Sequence, residues 1–379
     1  MAGKRILTVA DHLGSVGGTE RAQLEICRGL AQRGWDIHLL YVSEGDYGPD
    51  WRSLATTTQR IGASLPSRAA PVASTVGAVR AAVAGMRARP SVVYVHNAGD
   101  VPMALAVATV VRAPVVAHLH LPPPVRQPEW LNASIRRASA VIVPSSDAAG
   151  RWVARAGLDP DRVTVAPTGV DTDRFVPLGP DERQAVRHQI GVADQDRMIL
   201  YAGRIEEIKG VRVLVEAAGR MATPAHVVMC GMANDQGYLL SLQEAMRGSR
   251  ATYLGRRSDV PSLMGAADLV VVPSSVAETQ GLVISEALAC GTPVVAFDVG
   301  GVADSMRDFA DQLVPAGDAA QLTQTIERFV AWRGDDPDLG PRSRAWAVEH
   351  MSVDRSIDRV EAVIERAEVG APGNQDLRG

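Results

Sequence analysis

The chain has 379 residues, of which 46% are hydrophobic and 22% are charged, and its formal net charge at pH 7 is −4. That length exceeds what one hydrophobic core usually supports, so two domains are expected. A net charge this close to neutral, and on the acidic side, argues against a nucleic-acid-binding protein.

The cysteines and the apolar segments indicate the compartment. Cys27, Cys230 and Cys290 are far apart and lack the spacing of metal ligands, which is typical of buried thiols in a reducing compartment. No apolar run reaches the length of a membrane span. Because Lys4-Arg5 leads directly into the first predicted strand, a signal peptide is not expected. A cytoplasmic protein is therefore expected, and peripheral contact with the inner membrane face is left open.

The first half of the chain alternates apolar runs with helical patterns. Residues 20–32 carry apolar side chains mostly on one face and are followed by Gly34, which predicts a helix. The apolar stretch 101–116 is interrupted by prolines and an arginine, which favours a buried helix followed by a strand. The predicted strands of this half are 5–10, 36–42, 92–96, 115–119, 140–143 and 163–166.

The second half repeats this alternation. Its predicted strands are 198–202, 226–230, 252–254, 269–272 and 294–297. Short buried strands with helices between them indicate parallel sheets covered on both faces. Two such sets predict an α/β protein with two doubly wound, Rossmann-like domains that face a cleft. The expected domains are 1–172 and 173–350, followed by a helix at 351–367 and a disordered tail at 368–379.

A glycine-rich stretch follows the first strand. Its glycines, which include Gly14, Gly17 and Gly18, would let the backbone approach a phosphate or a sugar closely. The stretch is not the dinucleotide-binding G-x-G-x-x-G pattern, because His12 occupies the position that the first glycine would need. A flexible turn between strand and helix is the alternative interpretation.

Residues 51–99 contain arginines but no aspartate or glutamate. Such a segment suits an anionic membrane surface or a phosphorylated acceptor. An alanine-rich helix with ordinary solvated arginines is the alternative. The arginines are Arg52, Arg60, Arg68, Arg80, Arg87 and Arg89.

Three histidines end predicted strands of the first half. His118 and His120 are two positions apart, so they point to the same side if the strand continues. A metal pair is conceivable, but no carboxylate or third ligand follows nearby in the sequence. His96 ends the preceding strand, where it is either a residue of the acceptor site or a structural histidine.

Charged residues follow two strand ends in the second half. Arg204 and Lys209 are five positions apart just past one strand, a pair that suits a diphosphate. Further along, Glu278 and Glu286 flank Gly281, near which a helix is expected to start. The free N–H groups at such a helix start attract phosphates. One carboxylate would accept hydrogen bonds from a sugar and the other from a ribose.

Taken together, these segments resemble the retaining glycosyltransferases of family 4. The resemblance covers about residues 5–360 in the family's order. The matching segments are Gly17-Gly18-Thr19-Glu20, Pro114 to His120, Pro167 to Asp171, Gly203-Arg204, Lys209-Gly210, Pro273-Ser274, Glu278 to Glu286 and Gly291 to Val295.

The resemblance implies the GT-B fold and a hexosyltransferase that uses a nucleotide-diphosphate sugar. It makes the first domain the acceptor-binding domain, to which the closing helix returns, and the second the donor-binding domain. The acceptor hydroxyl, on a lipid, a glycan or a small molecule, stays open. Neither a metal nor another cofactor is expected, because the D-x-D strings lie in a linker and in a loop. The alternatives are a nucleotide-sugar epimerase of the same fold and a non-catalytic nucleotide-sugar-binding protein.

The same resemblance assigns the site residues. His120 would contact the donor sugar near the reacting carbon, with His118 as a neighbour or a structural residue. For His96 the two alternatives given above, a residue of the acceptor site and a structural histidine, stay open. The implied catalytic residues are His120, Arg204, Lys209 and Glu278. The implied donor-binding residues are Gly17, Gly18, Arg204, Lys209, Arg256, Glu278, Thr279, Gln280, Gly281, Leu282 and Glu286.

The chain departs from the family pattern at three positions near these segments. Gln280 stands where an aromatic residue is usual, Thr168 replaces a common asparagine, and Ala233 replaces a second glycine after Gly231. None of these changes removes a charged contact, so activity is still expected.

Overall fold

The computed structural model describes residues 3–14, 18–62 and 71–370. The chain divides into two compact units, one of Met1–Thr168 with Val353–Gly379 and the other of Gly169–Ser352. Each unit holds one parallel β-sheet with helices between its strands. The predicted α/β class with two doubly wound sheets is confirmed.

The first unit contains a seven-stranded parallel sheet in the order β3-β2-β1-β4-β5-β6-β7. The strands are β1 (Arg5–His12), β2 (Asp36–Ser43), β3 (Thr57–Arg60), β4 (Val92–Val95), β5 (Val115–His118), β6 (Ala140–Val143) and β7 (Val163–Val165). The helices between them are α1 (Gly18–Gln32), α2 (Gly48–Leu54), α3 (Pro71–Ala88), α4 (Val101–Val111), α5 (Glu129–Ile135) and α6 (Ser146–Ala156). Because side chains alternate along a strand, β1 sends Leu7 into the core on one face and Ile6 into the core on the other.

The second unit contains a six-stranded parallel sheet in the order β10-β9-β8-β11-β12-β13. The strands are β8 (Arg197–Ala202), β9 (Ala225–Cys230), β10 (Ala251–Tyr253), β11 (Leu269–Val272), β12 (Val294–Phe297) and β13 (Leu313–Val314). The helices are α7 (Pro180–Gln189), α8 (Val211–Gly219), α9 (Gln236–Ala245), α10 (Val260–Ala266), α11 (Leu282–Ala289), α12 (Val302–Ser305), α13 (Ala319–Val330), α14 (Trp332–Asp335) and α15 (Leu339–Met351). The central strands β11 and β12 are buried along their whole length, as their unbroken apolar runs predicted.

The closing helix α16 (Val353–Val369) belongs to the first unit and packs against α1. Its apolar face, which includes Ile357 and Val360, enters the core beside β4, β5 and β6. A Cβ on Gly29 of α1 would lie 2.0 Å from the Ile357 side chain, so the glycine permits the close helix contact. This helix extends into the predicted tail, and residues 371–379 lie outside the described part of the chain.

Both sheets reverse their strand order next to the first strand of the unit. In the first unit the reversal lies between β1 and β4, and in the second between β8 and β11. In doubly wound sheets, ligands bind beyond the carboxyl ends of the strands at this point. The segments after these strands are therefore where the sites are expected. In the described part of the chain, no helix is long and apolar enough to cross a membrane.

Candidate functional site

The carboxyl ends of β8, β9 and β10 are joined by backbone hydrogen bonds. The Gly203 N–H donates to the Cys230 carbonyl at 3.0 Å, and the Gly231 N–H donates to the Gly255 carbonyl at 2.9 Å. Gly231 has φ +145°, and a Cβ there would lie 1.8 Å from the Gly203 carbonyl oxygen. Only glycine fits this close approach. The loops after these strands therefore leave from one edge of the sheet.

Two arginines follow these glycines. The Arg204 side chain is 58% exposed and forms an ion pair with Glu206 at 2.7 Å. Its backbone carbonyl accepts a hydrogen bond from the Tyr201 hydroxyl at 2.6 Å, which fixes the loop. Arg256 directly follows Gly255 and is exposed, and within the described residues its side chain has no ion pair or hydrogen bond. The strand ends thus present two guanidinium groups at the same edge.

Lys209 is placed by a tight contact between two loops. It ends a short 3-10 turn, Glu207–Lys209, and Gly210 follows it with φ +68°. A Cβ on Gly210 would lie 1.9 Å from the Pro273 carbonyl oxygen, at the end of β11. The Ser275 N–H and hydroxyl both donate to the Ile208 carbonyl at 3.0 Å. The turn that carries Lys209 is therefore attached to the segment after β11.

This attachment brings Lys209 to Glu278. The Lys209 ammonium lies 2.6 Å from Glu278 Oε1, and the Ser274 hydroxyl donates to the same oxygen at 2.5 Å. The Lys209 and Glu278 side chains are only 17% and 19% exposed, so water screens the pair weakly. The Glu278 carbonyl accepts a hydrogen bond from the Gly301 N–H at 2.7 Å. A cation and a carboxylate are thus held side by side at the carboxyl edge of the sheet.

The predicted helix after this loop is confirmed as α11. It begins after Gly281, whose φ is +76°, and it is followed by Gly291 with φ +66°. In its first turn the Ile284 N–H donates to the Gly281 carbonyl at 2.8 Å, so the Leu282 and Val283 N–H groups are the ones without a partner earlier in the helix. Glu286 lies in the second turn of α11 and is half-buried, whereas Glu278 lies in the loop before the helix.

Thr279 and Gln280 lie in this loop between Glu278 and the helix. The Gln280 side chain is buried, and its backbone carbonyl accepts a hydrogen bond from the Ser305 hydroxyl at 2.8 Å. The loop is therefore held in place on its inner side, and the start of α11 lies directly after it.

The predicted residues of the first unit lie at its own strand ends. His120 follows β5, and its Nε2 lies 3.0 Å from Nδ1 of His96, which follows β4. The His118 and His120 rings are stacked with centroids 4.0 Å apart, so the expectation that they point to one side is confirmed. Gly18 begins α1 and is exposed, whereas Gly17 lies outside the described residues.

One partner in this cluster was not predicted from the sequence. No third ligand lies near His118 and His120 along the chain. The structure brings in His96 from the adjacent strand β4, which pairs with β5 in parallel register. The missing signal was the order of the strands, since neighbouring parallel strands end at the same edge.

Burial makes these histidines neutral. It lowers the pKa of His120 from 6.5 to about 4. It also holds the pKa of His96 and that of His118 well below the usual value, and the neighbouring imidazoles lower both further. The cluster therefore offers uncharged imidazole nitrogens at neutral pH.

Two family models match the chain. The model described as Glycosyltransferase Family 4 matches residues 16–174, and the model described as Glycosyl transferases group 1 matches residues 196–331. Each match therefore covers most of one sheet.

Curated relatives include the D-inositol 3-phosphate glycosyltransferases of Mycobacterium tuberculosis (strain H37Rv) and Mycobacterium bovis. Each is 34% identical over 218 residues, which are 55% of this chain and 44% of the relative. The chain thus spans about half the length of the curated relatives that it matches.

Solved structures share the whole fold at low sequence identity. The glycosyltransferase of Rickettsia africae superposes with a TM-score of 0.86 at 18% identity, covering 97% of this chain and 99% of that chain. Anabaena HepE in complex with UDP superposes with a TM-score of 0.81 at 22% identity, covering 96% of this chain and 100% of that chain. The predicted GT-B fold is confirmed by these neighbours. With both sheets covered by family matches, the chain belongs to the group 1 glycosyltransferases of family 4.

Proposed function

We propose that the protein transfers a hexose-type sugar from a nucleotide-diphosphate sugar to an acceptor hydroxyl, with retention at the anomeric carbon. The observation that carries the proposal is the Lys209–Glu278 pair beside the start of α11. A diphosphate needs cations and free N–H groups, and a sugar needs a carboxylate that accepts from its hydroxyls. Both sets lie within one loop cluster of the second unit.

The donor would bind along this edge of the second sheet. Its diphosphate would be bound by the Lys209 ammonium, the Arg204 guanidinium and the first-turn N–H groups of α11. The Glu278 carboxylate accepts hydrogen bonds from the sugar hydroxyls, and Glu286 accepts from the ribose. Arg256 adds positive charge from the neighbouring strand end.

Transfer then proceeds by departure of the nucleoside diphosphate on the same face as the attack. The bond between the anomeric carbon and the phosphate oxygen breaks, and the acceptor oxygen forms the new bond to that carbon. A phosphate oxygen of the leaving group takes the acceptor's proton. Negative charge grows on the diphosphate as the bond breaks, so Lys209 and Arg204 stabilise the transition state more than the ground state.

This route needs no metal ion at the diphosphate. In the proposal, side chains and a helix terminus supply the positive charge that a divalent cation would otherwise provide. Full activity in the presence of a chelator is the expected result, and a strict requirement for added Mg²⁺ or Mn²⁺ would contradict it.

The exposed face of helix α3 in the first unit is proposed to bind an anionic partner. Helix α3 exposes Val76, Val79 and Met86, and its arginines Arg80 and Arg87 are also exposed. An exposed apolar stripe flanked by arginines, in a stretch without acidic residues, suits an anionic lipid surface. Arg68, also named in the sequence analysis, lies outside the described residues.

Sedimentation with vesicles tests this surface. Binding to vesicles with anionic lipid at low salt, and loss of that binding in the double variant Val79→Ser with Met86→Ser, is expected. Arg247→Ala serves as a control, since it removes an exposed arginine of the second unit. Absence of vesicle binding would leave a soluble phosphorylated acceptor, such as the D-inositol 3-phosphate named for the curated relatives, as the anionic partner.

A thermal-shift screen of nucleoside diphosphates and their sugars tests the donor proposal. UDP and UDP-glucose come first, since Anabaena HepE was crystallised with UDP and with UDP-glucose. A transferase should then release nucleoside diphosphate and form a product of unchanged anomeric configuration. An epimerase would change the sugar without any acceptor, and a binding protein would shift the melting temperature without turnover. Failure of every nucleotide to stabilise the protein would refute the donor site.

A further inference from the structure

A buried carboxylate lies at the amino ends of two central strands of the second sheet. Asp268 precedes β11, and its side chain is 2% exposed. Its N–H donates to the Met198 carbonyl of β8, and its Oδ2 accepts from the Met198 N–H, both at 2.8 Å. Because all strands of this sheet are parallel, their amino ends form the edge opposite the one that carries Lys209 and Glu278. Asp268 therefore lies away from the proposed donor site.

Three arginines converge on this one carboxylate. Arg187 Nη1 lies 3.2 Å from Asp268 Oδ2, whereas Arg183 Nη2 lies 2.5 Å from Oδ1. Arg333 Nε lies 3.5 Å from the same Oδ1. Together with the Met198 N–H, these groups place four donors on the carboxylate, which is about the number that its lone pairs accept. Asp268 therefore has no capacity for further donors, and its single negative charge faces three positive charges.

The three guanidinium groups differ in how fully their donors are used. Arg187 is buried and donates to the carbonyls of Ala266 and Asp196, so its role is structural. Arg183 and Arg333 have side chains that are 22% and 36% exposed. Among the described residues, no protein acceptor is bound by Nη1 of Arg183 or by Nη1 of Arg333. Water or a ligand has to satisfy these two donors.

Further positive charge surrounds Arg183. Arg197 begins β8 and is half-buried, and within the described ranges its side chain forms no ion pair or hydrogen bond. The neighbouring Asp196 carboxylate is already paired with Arg250 at 2.8 Å. Burial lowers the pKa of Arg183, and repulsion from nearby arginines, which include Arg197, lowers it further. Burial, followed by repulsion from Arg183, also lowers the pKa of Arg333 to about 10. The cluster therefore holds more positive charge than its carboxylates balance.

We propose that Arg183 and Arg333 bind a soluble phosphate-type oxyanion at the amino edge of the second sheet. The two guanidinium groups are neighbours, because both contact Asp268 Oδ1. Planar guanidinium groups match the oxygens of a phosphate, and the negative charge of the ligand would offset the excess that Arg197 increases. The site takes inorganic phosphate or the phosphate group of a small molecule. It does not depend on the proposed function.

A soluble ligand fits this surface better than a lipid headgroup. In the described part of the chain, helices α7 and α14, which carry Arg183 and Arg333, expose no large apolar side chain. Binding at a membrane surface usually combines basic residues with apolar ones that enter the lipid. The amino edge thus provides charge without the apolar stripe seen on α3.

Equilibrium dialysis with radiolabelled phosphate tests the site directly. The full-length double variant Arg204→Ala with Lys209→Ala is the background, since it lacks the cations of the opposite edge. This background is expected to bind one phosphate per chain. Adding Arg183→Gln or Arg333→Gln should weaken binding by about tenfold or more, because each removes charged donors. The matched control is Arg342→Gln, whose exposed guanidinium pairs with Asp336 at 2.7 Å.

Melting temperatures separate a ligand site from a purely structural cluster. Phosphate should raise the melting temperature of the wild type relative to chloride at equal ionic strength, and it should raise that of Arg333→Gln much less. A purely structural role would instead lower the melting temperature of Arg333→Gln equally in both salts. Sulfate should displace phosphate in the dialysis experiment, whereas chloride at equal ionic strength should not. Absence of phosphate binding, equal binding after Arg333→Gln is added to the background, or displacement by chloride would overturn the proposal.

Discussion

Replacing Lys209 with alanine should reduce turnover at least a hundredfold. Its ammonium lies 2.6 Å from Glu278 Oε1, and the side chain is only 17% exposed. A charge held in a half-buried position is weakly screened and already aimed at the place where the diphosphate would lie. Removing one such donor typically costs about 3–4 kcal/mol of transition-state stabilisation, which corresponds to roughly a hundredfold to a thousandfold in rate.

The exposure of the two cations ranks their effects. Arg204 is 58% exposed and shares its charge with Glu206 at 2.7 Å, so water and the carboxylate screen it more. The loss of rate in Arg204→Ala is therefore expected to be about a hundredfold, and the loss in Lys209→Ala about a thousandfold. The assay is the initial rate of nucleoside diphosphate release at saturating donor.

Controls separate the loss of charge from a loss of structure. Lys209→Met keeps most of the aliphatic stem beside Glu278 and should be as slow as Lys209→Ala. The turnover of Arg247→Ala should stay within about twofold of wild type. Arg247 precedes β10, at the opposite edge of the sheet from Lys209, and it is an exposed surface residue. Near-normal turnover in both Lys209→Ala and Arg204→Ala would refute the assigned role.

Three further variants test other contacts. Arg256→Ala should weaken donor affinity by about tenfold in calorimetric titration, whereas Arg257→Ala, whose guanidinium is held by Asp259 at 2.6 Å, should leave donor affinity nearly unchanged. Glu286→Ala should raise KM for the donor with little change in kcat, because a ribose contact is present in ground and transition states alike. Glu361→Gln should lower the free energy of unfolding at pH 7 by about 1–3 kcal/mol, measured by urea denaturation, because it weakens a charged acceptor.

The last of these effects should depend on pH. Burial raises the pKa of the Glu361 carboxyl, but hydrogen bonds from Trp35, Arg33 and Lys4 outweigh it and hold that pKa below its usual 4.5. The unfolded state therefore binds the proton more readily, so this stabilisation is present above the unfolded pKa and is lost as the pH falls through the folded pKa. The difference in stability between wild type and Glu361→Gln should shrink on acidification, and a constant difference would contradict this account.

The sequence predicted which segments form strands and helices better than it predicted which of these elements lie next to one another. Continuous apolar runs gave β8 and β11, and the turn glycine before α11 gave its start, because these signals are local. The edge strand β3 was not predicted, since its four residues are polar and all exposed. A strand without an apolar pattern is set by pairing with its neighbour, and the pairing of β3 with β2 is a tertiary property.

In the candidate site, too, single residues were predicted from local patterns, whereas the contacts between them were not. Arg204, Lys209 and Glu278 were assigned from local motifs, but the contact of Lys209 with Glu278 joins residues 69 positions apart. It depends on the close approach of Gly210 to the Pro273 carbonyl, which only the packed loops reveal. Similarly, the three histidines were all named from the sequence, but the position of His96 beside His118 and His120 depends on the order of β4 and β5 in the sheet.

The two units use one topology for two kinds of chemistry, and burial accounts for the difference. Each sheet places its polar groups at the carboxyl ends of its parallel strands, the edge at which doubly wound sheets bind ligands. In the second unit the side chains that follow are exposed or half-buried, so cations and carboxylates stay charged and suit a diphosphate and sugar hydroxyls. In the first unit the imidazoles are buried and neutral, so they offer lone pairs rather than charge. A substitution that exposed His120 to water would therefore raise its pKa toward the usual 6.5 and give this edge a positive charge in mild acid.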